Sequence, residues 1–155
     1  MGGMLAADGV IAQTIQLALA PVFVLVAIGN IMNILSLRLA RVIDRGRILQ
    51  ERHPRSAGAE RDSLVREMRI LDRRIHLIGR AILLLVLSGL TIGFCVALLF
   101  LEELFKVNLQ QVAAFAFMIA IGLMMWALTM FLREIRSATA ALKIPDEYLE
   151  PERKL

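Results

Sequence analysis

Apolar residues run without a charge from Val10 to Leu37, from Ala81 to Leu101 and from Val112 to Leu132. Between the first two runs they recur instead every three or four residues, among arginines and acids. Each unbroken run reaches the roughly 20 residues that an α-helix needs to cross the hydrocarbon core of a bilayer. In lipid only a helix or a closed barrel satisfies its own backbone, and unbroken apolar runs fit the helix. The pattern therefore predicts three transmembrane helices, at 10–37, 81–101 and 111–132. The first is not expected to be a cleaved leader, because Asp8 is the only charge ahead of it and no small-x-small step closes it.

The segment 38–80 predicts a helical hairpin. No helix breaker follows the first span, so that helix should continue to about Arg52. The stretch His53-Pro54-Arg55-Ser56-Ala57-Gly58-Ala59 is a turn, punctuated by proline and glycine. A second helix starts near Glu60 and runs into the second span. Leu35, Leu39, Val42, Gly46 and Leu49 alternate in steps of four and three, as do Leu64, Met68, Leu71, Ile75 and Ile78. That is the spacing of a left-handed coiled coil.

One antiparallel register serves both seams. Leu49 falls opposite Leu64, Gly46 opposite Met68, Val42 opposite Leu71, Leu39 opposite Ile75 and Leu35 opposite Ile78. The same register brings Arg41 near Asp72 and Asp44 near Arg69, expected as surface ion pairs worth about 0–1 kcal/mol each. At 1.5 Å per residue the arm from Arg38 to Arg52 projects roughly 20 Å from the membrane. The fold class is thus an all-α membrane protein, a single domain whose antiparallel coiled-coil hairpin continues the first and second spans. A loop at 102–110 precedes the third span and a tail at 133–155 follows it.

Charge orients this assembly. Residues 38–80 hold twelve arginines against six acids, and Arg133, Arg136 and Lys143 follow the third span. The opposite side carries Asp8, Glu102, Glu103 and Lys106. The positive-inside rule places the hairpin and C-terminus in the cytosol, with the N-terminus and the 102–110 loop outside. The net charge of +4 is then a topology signal. It does not point to nucleic acid, since the arginines alternate with acids and no aromatic platform accompanies them.

Polar residues inside the first span change the picture further. Gln13, Gln16, Ala20, Phe23, Ala27, Asn30, Ile34, Leu37, Arg41 and Asp44 form a second stripe, away from the apolar seam, with Asn33 beside it. Amides at hydrocarbon depth need partners and turn towards protein or water. Pro21 is expected to kink this helix. Either the amides bond to neighbouring helices and fix their packing, or the stripe lines a polar path closed by several chains. Gly89, Gly93 and Ala97, and likewise Ala113, Ala116, Ala120 and Ala127, read as packing seams. Three helices with so many small or polar faces imply a homo-oligomer. Met124 and Met125 read as filler and Trp126 as an interfacial anchor.

Catalytic chemistry is sparse. Cys95 is the single cysteine, expected as an inert apolar residue inside the second span. His53 and His76 fall at opposite ends of the hairpin, and no phosphate loop, nucleophile set or metal-ligand spacing is present. No enzyme, cofactor or metal is expected. Two functions stay open. One is a passage for ions or small solutes, with Asn30 and Asn33 as lining, Arg41 and Asp44 as inner gate, and Glu102 and Glu103 as an outer acidic ring. The other is a non-conducting scaffold whose basic hairpin binds a cytosolic protein or anionic lipid. The end of the chain from Ile144, with Pro145 and Pro151, is expected to be loose or surface-lying.

Four runs carry a family resemblance: Ala20-Pro21-Val22-Phe23-Val24-Leu25-Val26-Ala27-Ile28-Gly29, Arg38-Leu39-Ala40-Arg41-Val42-Ile43-Asp44-Arg45, Arg73-Arg74-Ile75-His76-Leu77-Ile78-Gly79-Arg80-Ala81-Ile82 and Phe131-Leu132-Arg133-Glu134-Ile135-Arg136. With them the chain, from about Ile11 to Ile144, resembles the domain of unknown function 2721 family of prokaryotic membrane proteins. The resemblance implies a cytoplasmic (inner) membrane location, no established activity and no catalytic residues.

Overall fold

The structure is a computed structural model that describes the backbone of residues 2–141 and the side chains of residues 15–136. The Gln13 side chain and the segment from Ile144 lie outside the described residues. Among the described residues every regular element is helical. Helix α1 spans Gly2–Arg52 (51 residues), α2 spans Gly58–Phe105 (48 residues) and α3 spans Gln110–Ala141 (32 residues). All three are long and apolar enough to cross a membrane. Pro21 sits inside α1, which continues through it.

Local chemistry sets the breaks between helices. A single 3-10 turn, His53–Arg55, follows α1 and carries Pro54 in its first positions. The backbone N–H and the hydroxyl of Ser56 both donate to the His53 carbonyl, at 3.4 and 2.9 Å, and close the turn. Gly58 then takes φ +59°, a left-handed conformation that glycine adopts without steric penalty. At the other end of α2 the chain reverses at Lys106, also left-handed, whose ammonium donates to the Glu103 carboxylate. The Leu109 carbonyl accepts the Ala113 N–H at 2.9 Å and starts α3.

Helix α2 is the central element. It folds back along α1 and packs along α3, whereas α1 and α3 have almost no close backbone approach to each other. One apolar cluster runs from the turn into the spans. It joins Ile28, Leu35, Val42 and Leu49 of α1 to Leu64, Leu71, Ile78, Ala81, Leu85 and Ile92 of α2, with Ala120 and Ala127 of α3. Leu39, Met68 and Ile75 are half-buried against it.

Nearer the α2–α3 loop, Cys95 and Leu98 pack with Ala113 and Ala116. The four buried alanines let α3 lie close to α2, and two buried donors tie the pair together. Ser88 Oγ donates to the Ala120 carbonyl at 2.7 Å, and Cys95 Sγ donates to the Ala113 carbonyl at 3.3 Å. Cys95 is therefore a cross-helix donor as well as a small packed residue. The Gly89-Gly93-Ala97 seam divides. A methyl group on Gly89 would stand 3.5 Å from Leu25, while Gly93 faces open space and Ala97 is exposed.

Only 17%, 28% and 17% of the apolar windows of the three helices is buried within the chain. Phe23, Leu90, Phe94, Phe115 and Met118 all point outwards. A surface this apolar must be covered by lipid or by other protein.

Candidate functional site

The α1 stripe comes first. Gln16, Ala20, Phe23, Ala27, Asn30, Ile34, Leu37, Arg41 and Asp44 are all exposed, and so is Asn33. None of the three amides has a hydrogen-bond partner among the described residues. From Phe23 onward the stripe therefore faces away from α2, as its offset from the Leu35–Leu49 seam requires. Gln16, Asn30 and Asn33 do not fix packing among the described residues.

Heptad geometry explains the charges nearby. With Leu35, Val42 and Leu49 at the seam, Arg38 and Arg45 occupy the position flanking it, while Arg41 and Asp44 fall on the outer side. Glu67 and Arg74 hold the matching flank on α2. Arg45 Nε accordingly donates to Glu67 Oε1 at 2.8 Å. That hydrogen bond, and then the carboxylate charge, push the Arg45 guanidinium above its ordinary value and keep it protonated. The expected Arg41–Asp72 and Asp44–Arg69 pairs do not form. Arg41 and Asp44 point outwards, and Asp72 lies instead 3.7 Å from His76 on its own helix.

One heptad closer to the spans, the same flanking positions bring two cations together, Arg38 on α1 and Arg74 on α2. The third helix resolves the conflict. Glu134, only 1% exposed, reaches between them. Its Oε1 accepts Nε and Nη2 of Arg74 at 3.1 and 2.8 Å, and its Oε2 stands 3.5 Å from Arg38 Nη1. That second oxygen makes an ion pair without a hydrogen bond. The Arg38 guanidinium also lies over the Phe131 ring, 5.3 Å from its centre. Phe131 and Glu134 are three residues apart on α3, so one face of that helix grips Arg38. This cluster is where α1 and α3 meet, at the foot of the hairpin.

At the loop end the three helices splay around a cleft of about 450 Å³. Leu17, Ala20 and Pro21 form one wall, Gln110, Ala114 and Phe117 another, and Cys95 and Leu99 the floor, with Glu102 and Glu103 beside them. Ala20 belongs to the α1 stripe, so the stripe and the two acids border one space. Glu103 shares its charge with Lys106, whereas Glu102 has no ion pair among the described residues.

The seam residues Leu35, Val42, Leu49, Leu64, Leu71 and Ile78 are buried, with Leu39, Met68 and Ile75 half-buried between them. The hairpin exterior is a field of exposed arginines. Arg47, Arg52, Arg55, Arg61, Arg66, Arg69 and Arg73 have no acid partner among the described residues.

These features define a helical protein with three helices fit to span a membrane, with polar side chains on one outer face of α1, at a loop-end cleft, in a three-helix charge cluster and over the hairpin exterior. Residues 18–144 match the family described as Protein of unknown function (DUF2721), and the chain belongs to that family. No curated protein and no solved structure matches the chain.

Proposed function

We propose that the protein is a homo-oligomer of a prokaryotic cytoplasmic membrane, with its hairpin and C-terminus in the cytosol and the α1 stripes of several copies turned to a common axis. Along that axis the assembly forms a passage for ions or small polar solutes. The observation that carries this reading is the exposure of Asn30 and Asn33, inside an apolar span, without a hydrogen-bond partner among the described residues. An amide left unbonded in hydrocarbon costs about 2–7 kcal/mol, and stripes packed around a hydrated axis remove that penalty. The cleft adds support, because Ala20 leads from the stripe to the carboxylates that attract cations to its mouth. Arg41 and Asp44 at the opposite end, without an ion pair among the described residues, would act there as an inner gate for charged solutes.

Planar bilayers containing the purified protein should conduct, and Asn30→Leu and Glu102→Gln should each change the current. Silence, or a current indifferent to Asn30→Leu, ends the passage reading.

The exposed arginines of the hairpin favour a second reading, a non-conducting scaffold that captures an acidic cytosolic protein or anionic headgroups. Removing residues 45–69 should then abolish capture and leave the assembly intact. Unchanged capture by the shortened chain would dismiss it.

A further inference from the structure

A third group of charges lies apart from both the stripe and the hairpin. On the hairpin-end half of α3, Trp126, Thr129, Met130, Leu132, Arg133 and Arg136 line a hollow of about 350 Å³. Trp126 is 63% exposed, and both arginines are exposed without an acid partner among the described residues. Glu134 is the only acid on the described part of α3, and it is turned away from the hollow, between Arg38 and Arg74. The Thr129 hydroxyl is directed back to its own helix, at the Met125 and Trp126 carbonyls. The donor-bearing side chains left to line the hollow are Arg133, Arg136 and Trp126. Trp126 lies seven residues before Arg133, roughly 10 Å along the helix. That spacing sets the indole at the glycerol and upper acyl level when the arginines are at the phosphate level.

We propose that this face of α3 is a binding site for an anionic phospholipid of the leaflet at the hairpin end. Arg133 and Arg136, three residues apart, close on the phosphate. The Trp126 indole packs against the glycerol and upper chain, and exposed Met125 meets the acyl tails. The site is independent of the passage reading and needs only one copy of the chain.

Trp126 is the only tryptophan, so its fluorescence reports on this site alone. The full chain in neutral detergent is titrated with brominated phosphatidylglycerol or brominated phosphatidylcholine. Half-quenching by the anionic lipid is expected at a mole fraction roughly five-fold lower or less. Arg133→Gln/Arg136→Gln should bring the two lipids level, while Arg47→Gln/Arg52→Gln at the hairpin tip should leave the preference intact. Equal quenching of the native chain overturns the site. So does equal loss of preference in both variants, which would make the attraction one of general charge. Abolition of the preference by inorganic phosphate at constant ionic strength assigns the arginines to a free anion and overturns the lipid.

Discussion

Glu134 is held by two cations that would otherwise face each other, and this makes its loss unlike the loss of either arginine. Breaking a buried ion pair by removing one partner is destabilising by about 3–5 kcal/mol. Both guanidiniums keep about a quarter of their surface exposed, which argues for the low end of that range. Glu134→Ala should therefore lower stability by about 3 kcal/mol, measured by denaturant unfolding in micelles. It should be worse than Arg38→Ala, which leaves Arg74 hydrogen-bonded to the carboxylate. Adding Arg74→Leu to Glu134→Ala should restore part of the loss, because the double variant no longer sets two arginines side by side. Equal effects of Glu134→Ala and Arg38→Ala would mean that the like-charge conflict is not what Glu134 relieves. Half of this cluster was open to sequence reasoning. The heptad register that pairs Arg45 with Glu67 also sets Arg38 against Arg74, a conflict that asks for a carboxylate. Glu134 is the only acid between Glu103 and Asp146. The rotation of α3 that brings it inwards depends on packing against α2, and no local pattern carries it.

Among the elements, the hairpin depends on its seam and on one glycine. Leu49 is 1% exposed, and Leu49→Ala should cost about 2–4 kcal/mol, whereas Ile48→Ala, beside it on the outer face, should stay within about 0.5 kcal/mol. Parallel unfolding curves of the two variants check this, and similar midpoints would put the seam elsewhere. Gly58 at φ +59° should lose about 1 kcal/mol on replacement by alanine, since a Cβ there is crowded by the backbone although the space around it is open. The helical character of the three apolar runs was legible because composition sets it, but two helix ends were not: α2 runs to Phe105 and α3 to Ala141, past the expected ends at 101 and 132. The offset of Arg41 and Asp44 from the seam was equally legible as periodicity, and it outweighs the proximity in register that suggested ion pairs with Asp72 and Arg69. The Ser88 and Cys95 bonds to α3 were not legible. Each depends on the carbonyl of a helix whose distance is set by alanines far along the chain.

At the scale of the whole molecule, the stripe is the feature one chain leaves unresolved, and its fate decides between lipid and a neighbouring copy. The only native thiol, Cys95, is buried, so an introduced cysteine reports on contacts between copies with little background. If the α1 faces converge on an axis, Asn30→Cys and Ile34→Cys should cross-link readily in membranes and give dimers or higher species on gels. Met118→Cys, also exposed but on α3 and away from the stripe, should cross-link far less. A hydrated axis adds a separate expectation, that a charged, membrane-impermeant maleimide labels Asn30→Cys and spares Met118→Cys. Cross-linking without such labelling would retain the oligomer and remove the water, which is the arrangement a scaffold requires. Neither cross-linking nor labelling at residues 30 and 34 would place the amides against lipid, and the assembly and the passage would fail together.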